Sequence, residues 1–214
     1  MAETTQFRIG AHATCADGPC GEVIRIVVDP VAQVVTHLVV EPAHREGMGR
    51  LVPLDLVEVD AATGDVALRC SQDEFGALDA AEETHFLPGG GIYAGYATSQ
   101  VFALPYYGLG VGSITPPVIV DALPLGEVGL RRGEQVHATD GGIGRVQGLV
   151  IDPATRHVTH FMLQEGHLWG RKDVVIPISA VTGLEGGIQL KLTKQEVHDL
   201  PAVDVDDPTG SLRS

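Results

Sequence analysis

Four histidines are the residues whose spacing most suggests chemistry. His37 and His160 lie 123 residues apart, and His44 and His167 are separated by the same distance. A neutral imidazole is a common metal ligand, and paired imidazoles can also contact a small molecule. Zinc requires three or four converging ligands, however, and the spacing supplies no third one. We therefore assign no metal and no cofactor to these histidines.

The neighbours of His37 favour a structural role instead. His37 alternates with Val35 and Val39 in a segment rich in β-branched residues. Because residues two apart in a strand lie on the same face, we expect His37 and its counterpart His160 to be hydrogen-bonded residues of a sheet. A metal or small-ligand site that uses His37 with His160, or His44 with His167, is the alternative.

Recurring aspartates resemble catalytic acids, but their neighbours indicate turns. Asp29 and Asp152 precede proline, whereas Asp17 and Asp140 precede glycine, and both pairs are ordinary turn chemistry. The sequence has no Gly-x-Ser-x-Gly and no Gly-x-x-x-x-Gly-Lys motif, and the glycine-rich residues 108–112 lack the flanking strand and helix of a dinucleotide site. We predict no catalytic residue and no enzymatic activity.

One loop has the composition of a contact surface. His167, Trp169, Arg171 and Lys172 lie together before a β-prone segment, and His44 holds the corresponding place in the first half of the chain. Binding residues are often built on loops, and Trp and Arg are favoured interface anchors. We predict a partner-binding surface here. The alternative is that Trp169 packs on its own module or on the neighbouring one.

A tandem repeat must position all of these residues. Residues 17–40 and 140–163 share an Asp-Gly turn, an Asp-Pro turn and a Val-Thr-His strand at a constant offset of 123. A fixed offset through three motifs indicates one module duplicated in tandem. We place the first module at residues 6–80 and the second at 130–201.

Each module is predicted to be a small antiparallel β-barrel that ends in a short helix. Many short β-prone runs separated by turn residues indicate such a barrel. The apolar spacing of Val23, Ile26 and Val28 breaks strict alternation, so we predict a bulge in that strand. Residues 71–74 and 193–196 have the Ser/Thr-x-x-Glu pattern that caps a helix. The predicted fold class is all-β.

A connector at residues 81–129 and an acidic tail at 202–214 lie outside the modules. The connector is rich in Gly and Pro, and residues 118–120 suggest one strand. It also contains every tyrosine of the chain: Tyr93, Tyr96, Tyr106 and Tyr107. We consider three roles for it: packing on a module, binding a partner, or acting as a flexible linker. The tail is expected to be disordered.

The charge distribution excludes several classes of partner. The formal net charge is -14. Residues 1–80 include 13 acidic and 5 basic residues, whereas residues 131–200 include 8 of each. An acidic chain without a basic stripe disfavours direct binding to nucleic acid and to anionic membranes. No apolar run reaches the ~20 residues of a membrane span and no secretory signal is visible, so we expect a cytoplasmic protein.

The three cysteines are too few for a disulfide framework or a four-thiolate zinc site. Cys15, Cys20 and Cys70 correspond to an alanine, an isoleucine and a leucine in the second module. We therefore expect buried free thiols that act as small apolar side chains.

The order of these motifs resembles the PRC-barrel family. That family includes the cytoplasmic domain of the photosynthetic reaction-centre H subunit and the C-terminal domain of the ribosome-maturation factor RimM. Residues 165–177 are similar to a form found in bacterial tandem PRC-barrel proteins. The resemblance implies a protein-binding barrel without catalytic residues. The chain lacks the membrane helix of the H subunit and the N-terminal domain of RimM.

We therefore predict a non-enzymatic cytoplasmic adaptor or assembly protein, made of two PRC-like barrels, that binds a protein partner. Homodimerisation is a further expectation to be tested. A barrel that binds a small ligand or metal through paired histidines is the alternative. A role in ribosome assembly follows only from the analogy with RimM.

Overall fold

The chain is mostly β-structure, arranged in two seven-stranded sheets and one two-stranded sheet. A computed structural model describes residues 4–43, 49–60, 63–85, 118–165, 173–184 and 187–200. The all-β prediction is confirmed. Neither α-helix of these residues has the length and apolar character needed to cross a lipid bilayer.

Among the described residues, seven strands and one helix occur in the same order in each half of the chain, and each half has one additional strand, at Glu82–His85 or at Val118–Asp121. The first half contains β1 (Thr5–Arg8), β2 (His12–Cys15), β3 (Gly18–Asp29), β4 (Val34–Glu41), β5 (Arg50–Pro53), β6 (Val57–Val59), β7 (Val66–Leu68), α1 (Gln72–Ala77) and β8 (Glu82–His85). The second half contains β9 (Val118–Asp121), β10 (Val128–Arg131), β11 (Gln135–Ala138), β12 (Gly141–Ile151), β13 (Val158–Glu165), β14 (Asp173–Pro177), β15 (Val181–Gly183), β16 (Ile188–Leu190) and α2 (Lys194–His198).

The two large sheets have the same strand order. The first is β5-β4-β3-β2-β7-β6, and the second is β14-β13-β12-β11-β16-β15. The pairs are antiparallel except β2 with β7 and β11 with β16, which are parallel. The predicted bulge is confirmed, because the register of β3 on β4 shifts between Val23 and Arg25 and returns Ile26 and Val28 to the core.

The seventh strand of each large sheet comes from the other half of the chain. β1 pairs antiparallel with β12, with Phe7 opposite Leu149, while β10 pairs antiparallel with β3, with Leu130 opposite Ile26. The two pairings are related by the repeat, because Phe7 corresponds to Leu130 and Ile26 corresponds to Leu149 at the offset of 123. The modules therefore exchange their first strands, which the boundaries 6–80 and 130–201 do not reveal.

A second symmetric contact joins the hairpins that follow the Asp-Pro turns. Val34 and His157 form an isolated antiparallel bridge. Val35 N donates to the Arg156 carbonyl at 3.0 Å, and Val158 N donates to the Gln33 carbonyl at 2.8 Å. The two modules therefore contact each other through equivalent residues of their hairpins.

The exchange produces one continuous apolar core. A single cluster of buried residues contains side chains from both modules, including Phe7 at 4 % exposure and Leu130 at 0 %. Each exchanged strand therefore buries its central side chain. Burial of a Phe or Leu side chain stabilises a fold by about 1.5–3 kcal/mol relative to leaving it in water.

Both predicted helix caps are present. Ser71 accepts from Glu74 N while the Glu74 carboxylate accepts from Ser71 N, and Thr193 with Glu196 repeats the arrangement. Phe75 in α1 and Val197 in α2 are buried. The helices are short, so these caps satisfy much of their free backbone.

The cysteine prediction is partly wrong. Cys15 and Cys20 are joined in a disulfide across the β2–β3 hairpin, with their Cα atoms 5.7 Å apart. In the hairpin register Thr14 lies opposite Pro19 and Ala13 opposite Gly21, so Cys20 is the extra residue of a bulge next to the end of β2 where Cys15 lies. Cys70 is free and buried as expected, and burial raises the pKa of its thiol.

Candidate functional site

The connector begins and ends at one place on the first module. β8 and β9 form an antiparallel pair in which Glu82 lies opposite Asp121 and His85 lies opposite Val118. The strand predicted at residues 118–120 is confirmed. Because the two strands are hydrogen-bonded neighbours, they form a stem from which residues 86–117 leave and to which they return.

A buried arginine fixes this stem to the first sheet. Arg25 on β3 is 4 % exposed and forms ion pairs with Glu82 on β8 and, at 2.6 Å, with Asp121 on β9. Asp121 also accepts from Arg131 on β10 at 2.9 Å. A buried guanidinium needs charged partners to offset its desolvation, so both stem strands are held to Arg25.

Apolar contacts support the same attachment. Val27, Val39 and Leu51 form a second buried cluster with Ala81, outside the main core. The backbone contributes as well, because Ala81 N donates to the Gly49 carbonyl at 2.8 Å. The start of the connector is thereby packed on the outer face of the first sheet.

The predicted partner-binding residues all fall outside the described parts of the chain. This applies to both groups, the loop residues and the connector tyrosines. They are His44, His167, Trp169, Arg171, Lys172, Tyr93, Tyr96, Tyr106 and Tyr107. Their role as a contact surface stays a prediction. What the structure adds is the stem that holds the two ends of the tyrosine-containing segment.

The histidines inside the sheets have different surroundings in the two modules. His37 Nδ1 lies 3.7 Å from the Glu127 carboxylate, which also accepts from Thr36 Oγ1 at 2.5 Å. Among the described residues no carboxylate is paired with His160, and burial lowers the pKa of its imidazole. In the parts of the chain that the structure describes, no three His, Cys, Asp or Glu side chains are grouped to hold a metal.

The structure differs from the histidine prediction in the face of the sheet on which Val35 lies. The buried Nδ1 atoms of His37 and His160 have no hydrogen-bond partner among the residues that the structure describes. Val39 lies on the outer face of the sheet with His37, but Val35 belongs to the main core. The reason is a register shift between Val27 and Val28, which reverses the alternation in β4.

The recurring aspartates stabilise turns and helix ends. Asp29 accepts from the backbone of its own turn, at 2.8 Å from Val31 N, and Asp152 does the same for its turn. Asp17 accepts from Gln72 N at 2.8 Å, and Asp140 from Lys194 N at 2.9 Å, at the start of the helices. The predicted structural role of these aspartates is confirmed.

A polar cleft lies where the exchanged strands cross between modules. Its volume is about 380 Å³. The first module supplies the turns at residues 8–11 and 63–65, and the second supplies Arg132, Gln147 and Gln164. Ile9 N donates to the Gln147 carbonyl at 2.9 Å and Gly10 N to the Val23 carbonyl at 2.7 Å, so the chain passes from one sheet to the other here.

Sequence reasoning missed this cleft, although a signal was present. The repeat aligns Gln147 with Ile24 and Gln164 with Glu41. These differences between otherwise similar modules mark the cleft, but its walls come from residues far apart in sequence. They meet only because of the strand exchange.

Comparison with known proteins does not identify a relative. The sequence matches no model of a known protein family and no curated protein.

Proposed function

We propose that this chain is a non-enzymatic adaptor that presents residues 86–117 to a protein partner from the β8–β9 stem. We further propose that each module is a PRC-type barrel, as the motif order suggests. The observation that carries the adaptor function is the attachment of both stem strands to the buried Arg25.

Such an attachment suits a binding segment for an energetic reason. Joining the ends of a segment at a fixed stem lowers the conformational entropy that binding must remove. The segment contains four tyrosines, which supply large contact areas with few rotatable bonds. The loop with Trp169, Arg171 and Lys172 is proposed as a second contact surface.

The stem allows a clean test of this function. Because His85 and Val118 are the last paired residues, Asn-Gly can replace residues 86–117 and close a two-residue hairpin. The shortened protein keeps Glu82 and Asp121 beside Arg25, so we expect it to remain folded. Thermal unfolding monitored by circular dichroism verifies this.

Affinity capture from a lysate of the source organism then compares the full and shortened proteins. We expect a reproducible partner with the full chain, and its loss with the shortened one. A full-length variant with serine in place of Tyr93, Tyr96, Tyr106 and Tyr107 separates the aromatic side chains from the backbone of the segment. Equal recovery by all three proteins would contradict a role for this segment.

Trp169→Ala tests the second surface in the same assay. Loss of the partner with this variant alone places the contact on the loop of the second module. Loss with the shortened chain alone places it on the connector segment.

A further inference from the structure

Two guanidinium groups line the cleft between the modules. A Cβ atom built on Gly10 would lie 2.7 Å from Arg132 Nη1, so the Arg132 guanidinium lies against the bare backbone of that glycine. In the same way, a Cβ on Gly64 would lie 3.7 Å from Arg8 Nε. Planar guanidinium groups are suited to bidentate recognition of phosphate and carboxylate oxygens.

The rest of the lining provides neutral hydrogen-bonding groups. Gln147 and Gln164 each have an amide that can both donate and accept, and Thr63 adds a hydroxyl. Asp65 is the one carboxylate in the lining. A ligand that has hydroxyl groups besides its anionic group can therefore bind more of these side chains than a simple anion can.

Arg132 is available to such a ligand. It is exposed, and it makes no ion pair with any residue that the structure describes. The Glu22 carboxylate also approaches Gly10, with Oε1 3.3 Å from the same Cβ position. Glu22 therefore lies near Arg132 without forming an ion pair with it, and the guanidinium keeps donors for a ligand.

A β-bulge directs Gln147 toward the cleft. The register of β12 on β13 shifts between Val146 and Gly148, which leaves Gln147 as the extra residue. Bulges commonly redirect a side chain beside a functional site. The corresponding bulge residue in the first module is Ile24, which instead packs on the apolar cluster at the start of the connector.

The symmetry-related place in the molecule lacks the same chemistry. There Ile24 replaces Gln147, Glu41 replaces Gln164, and Ile9 replaces Arg132. The combination of Arg132 with the two glutamine amides therefore occurs at one of the two equivalent places.

We propose that this cleft binds a small polyol that carries a phosphate or carboxylate group. The anionic group is held by Arg132, and the hydroxyl groups by Gln147, Gln164 and Asp65. A volume of about 380 Å³ suits a compact ligand. Because both modules line the cleft, the bound ligand also bridges them.

Isothermal titration calorimetry on the full chain tests this site with three matched probes. Glycerol 3-phosphate and glycerate supply the two kinds of anionic group, and glycerol has hydroxyl groups alone. We expect saturable binding of glycerol 3-phosphate or glycerate and none of glycerol. Absence of binding for both anions, or equal binding of glycerol, overturns the proposal.

Substitutions then locate the binding. Arg132→Gln should lower the affinity for the anionic probe by about tenfold or more, as expected for loss of a charge-assisted contact. Gln147→Ile, which introduces the residue found at the corresponding position 24 of the first module, should also lower this affinity. Lys191→Gln removes the same charge from an exposed residue outside the lining, and should leave the affinity unchanged.

Unchanged affinity in Arg132→Gln, or an equal loss in Lys191→Gln, would place the binding elsewhere and refute the site. Thermal unfolding of each variant without ligand shows that it is folded. These probes are small molecules, so the result is independent of whether residues 86–117 bind a protein.

Discussion

Truncation of the exchanged strands should disturb the opposite module. Phe7 is 4 % exposed and lies opposite Leu149 of the second module, whereas its counterpart Leu130 is fully buried opposite Ile26 of the first. Large-to-small substitutions at such sites remove transfer free energy and leave a cavity. We expect Phe7→Ala to lower the free energy of unfolding by about 3–5 kcal/mol, and Leu130→Ala by about 2–5 kcal/mol.

Hydrogen exchange measured by mass spectrometry distinguishes where each substitution acts. After correction for the change in global stability, Phe7→Ala should speed exchange at residues 148–151, which pair with β1. Leu130→Ala should speed exchange at residues 25–28, which pair with β10. Local opening follows the loss of packing on the paired strand.

The exposed residue Val31 provides the control for these two substitutions. Val31 is 92 % exposed, so Val31→Ala should change stability by less than about 0.5 kcal/mol and leave both segments unaffected. If Phe7→Ala instead loosens residues 25–28 and spares 148–151, each module uses its own first strand. The exchanged arrangement would then be wrong.

Three further predictions concern single interactions. Glu82→Gln removes one partner of the buried Arg25 while Asp121 remains, so denaturant unfolding should show a loss of about 3 kcal/mol, and an unchanged midpoint would contradict the buried pair. The Cys15–Cys20 disulfide closes a short loop, so its reduction should lower the free energy of unfolding by about 2 kcal/mol in the same assay. Identical denaturation curves with and without reductant would argue against the bond. Burial lowers the pKa of His160, so the imidazole of the folded protein accepts a proton at a lower pH than that of the unfolded chain. As the pH falls below about 6.5, protonation of His160 therefore favours the unfolded chain and the free energy of unfolding declines. Proton NMR should place the His160 midpoint below that value, and His160→Gln should flatten the decline.

The sequence was sufficient for the elements because their signals are local. The capping pattern at residues 71–74 and the broken alternation at Val23, Ile26 and Val28 each predict a feature within a few residues. The repeat also predicts that the two sheets share one strand order, although it does not predict the parallel pairs β2–β7 and β11–β16.

The strand exchange has no local signal. Phe7 shows the same apolar pattern whether it packs on β3 of its own module or on the related β12. Two similar modules offer nearly equivalent docking edges, so periodicity does not distinguish the two arrangements. The choice depends on the path of the chain near Gly10, which is a tertiary property.

The disulfide and the cleft were not predicted because both depend on residues that tertiary structure brings together. Comparison of Cys15 and Cys20 with apolar residues in the second module indicated burial, and burial is correct. Whether the sulfur atoms meet depends on the hairpin register instead. The cleft was missed because nothing in the sequence spacing brings Arg8 and Arg132 together.

The exchange of β1 and β10 also has a consequence for synthesis of the chain. Residues 25–28 on β3 lack their partner strand until β10 emerges from the ribosome about 100 residues later, which takes roughly 5–20 s at typical translation rates. During that interval the first module has an open edge and an incomplete core. Folding of the first half therefore waits for the second, and a nascent chain arrested before residue 128 should be more prone to aggregation and proteolysis than the complete protein.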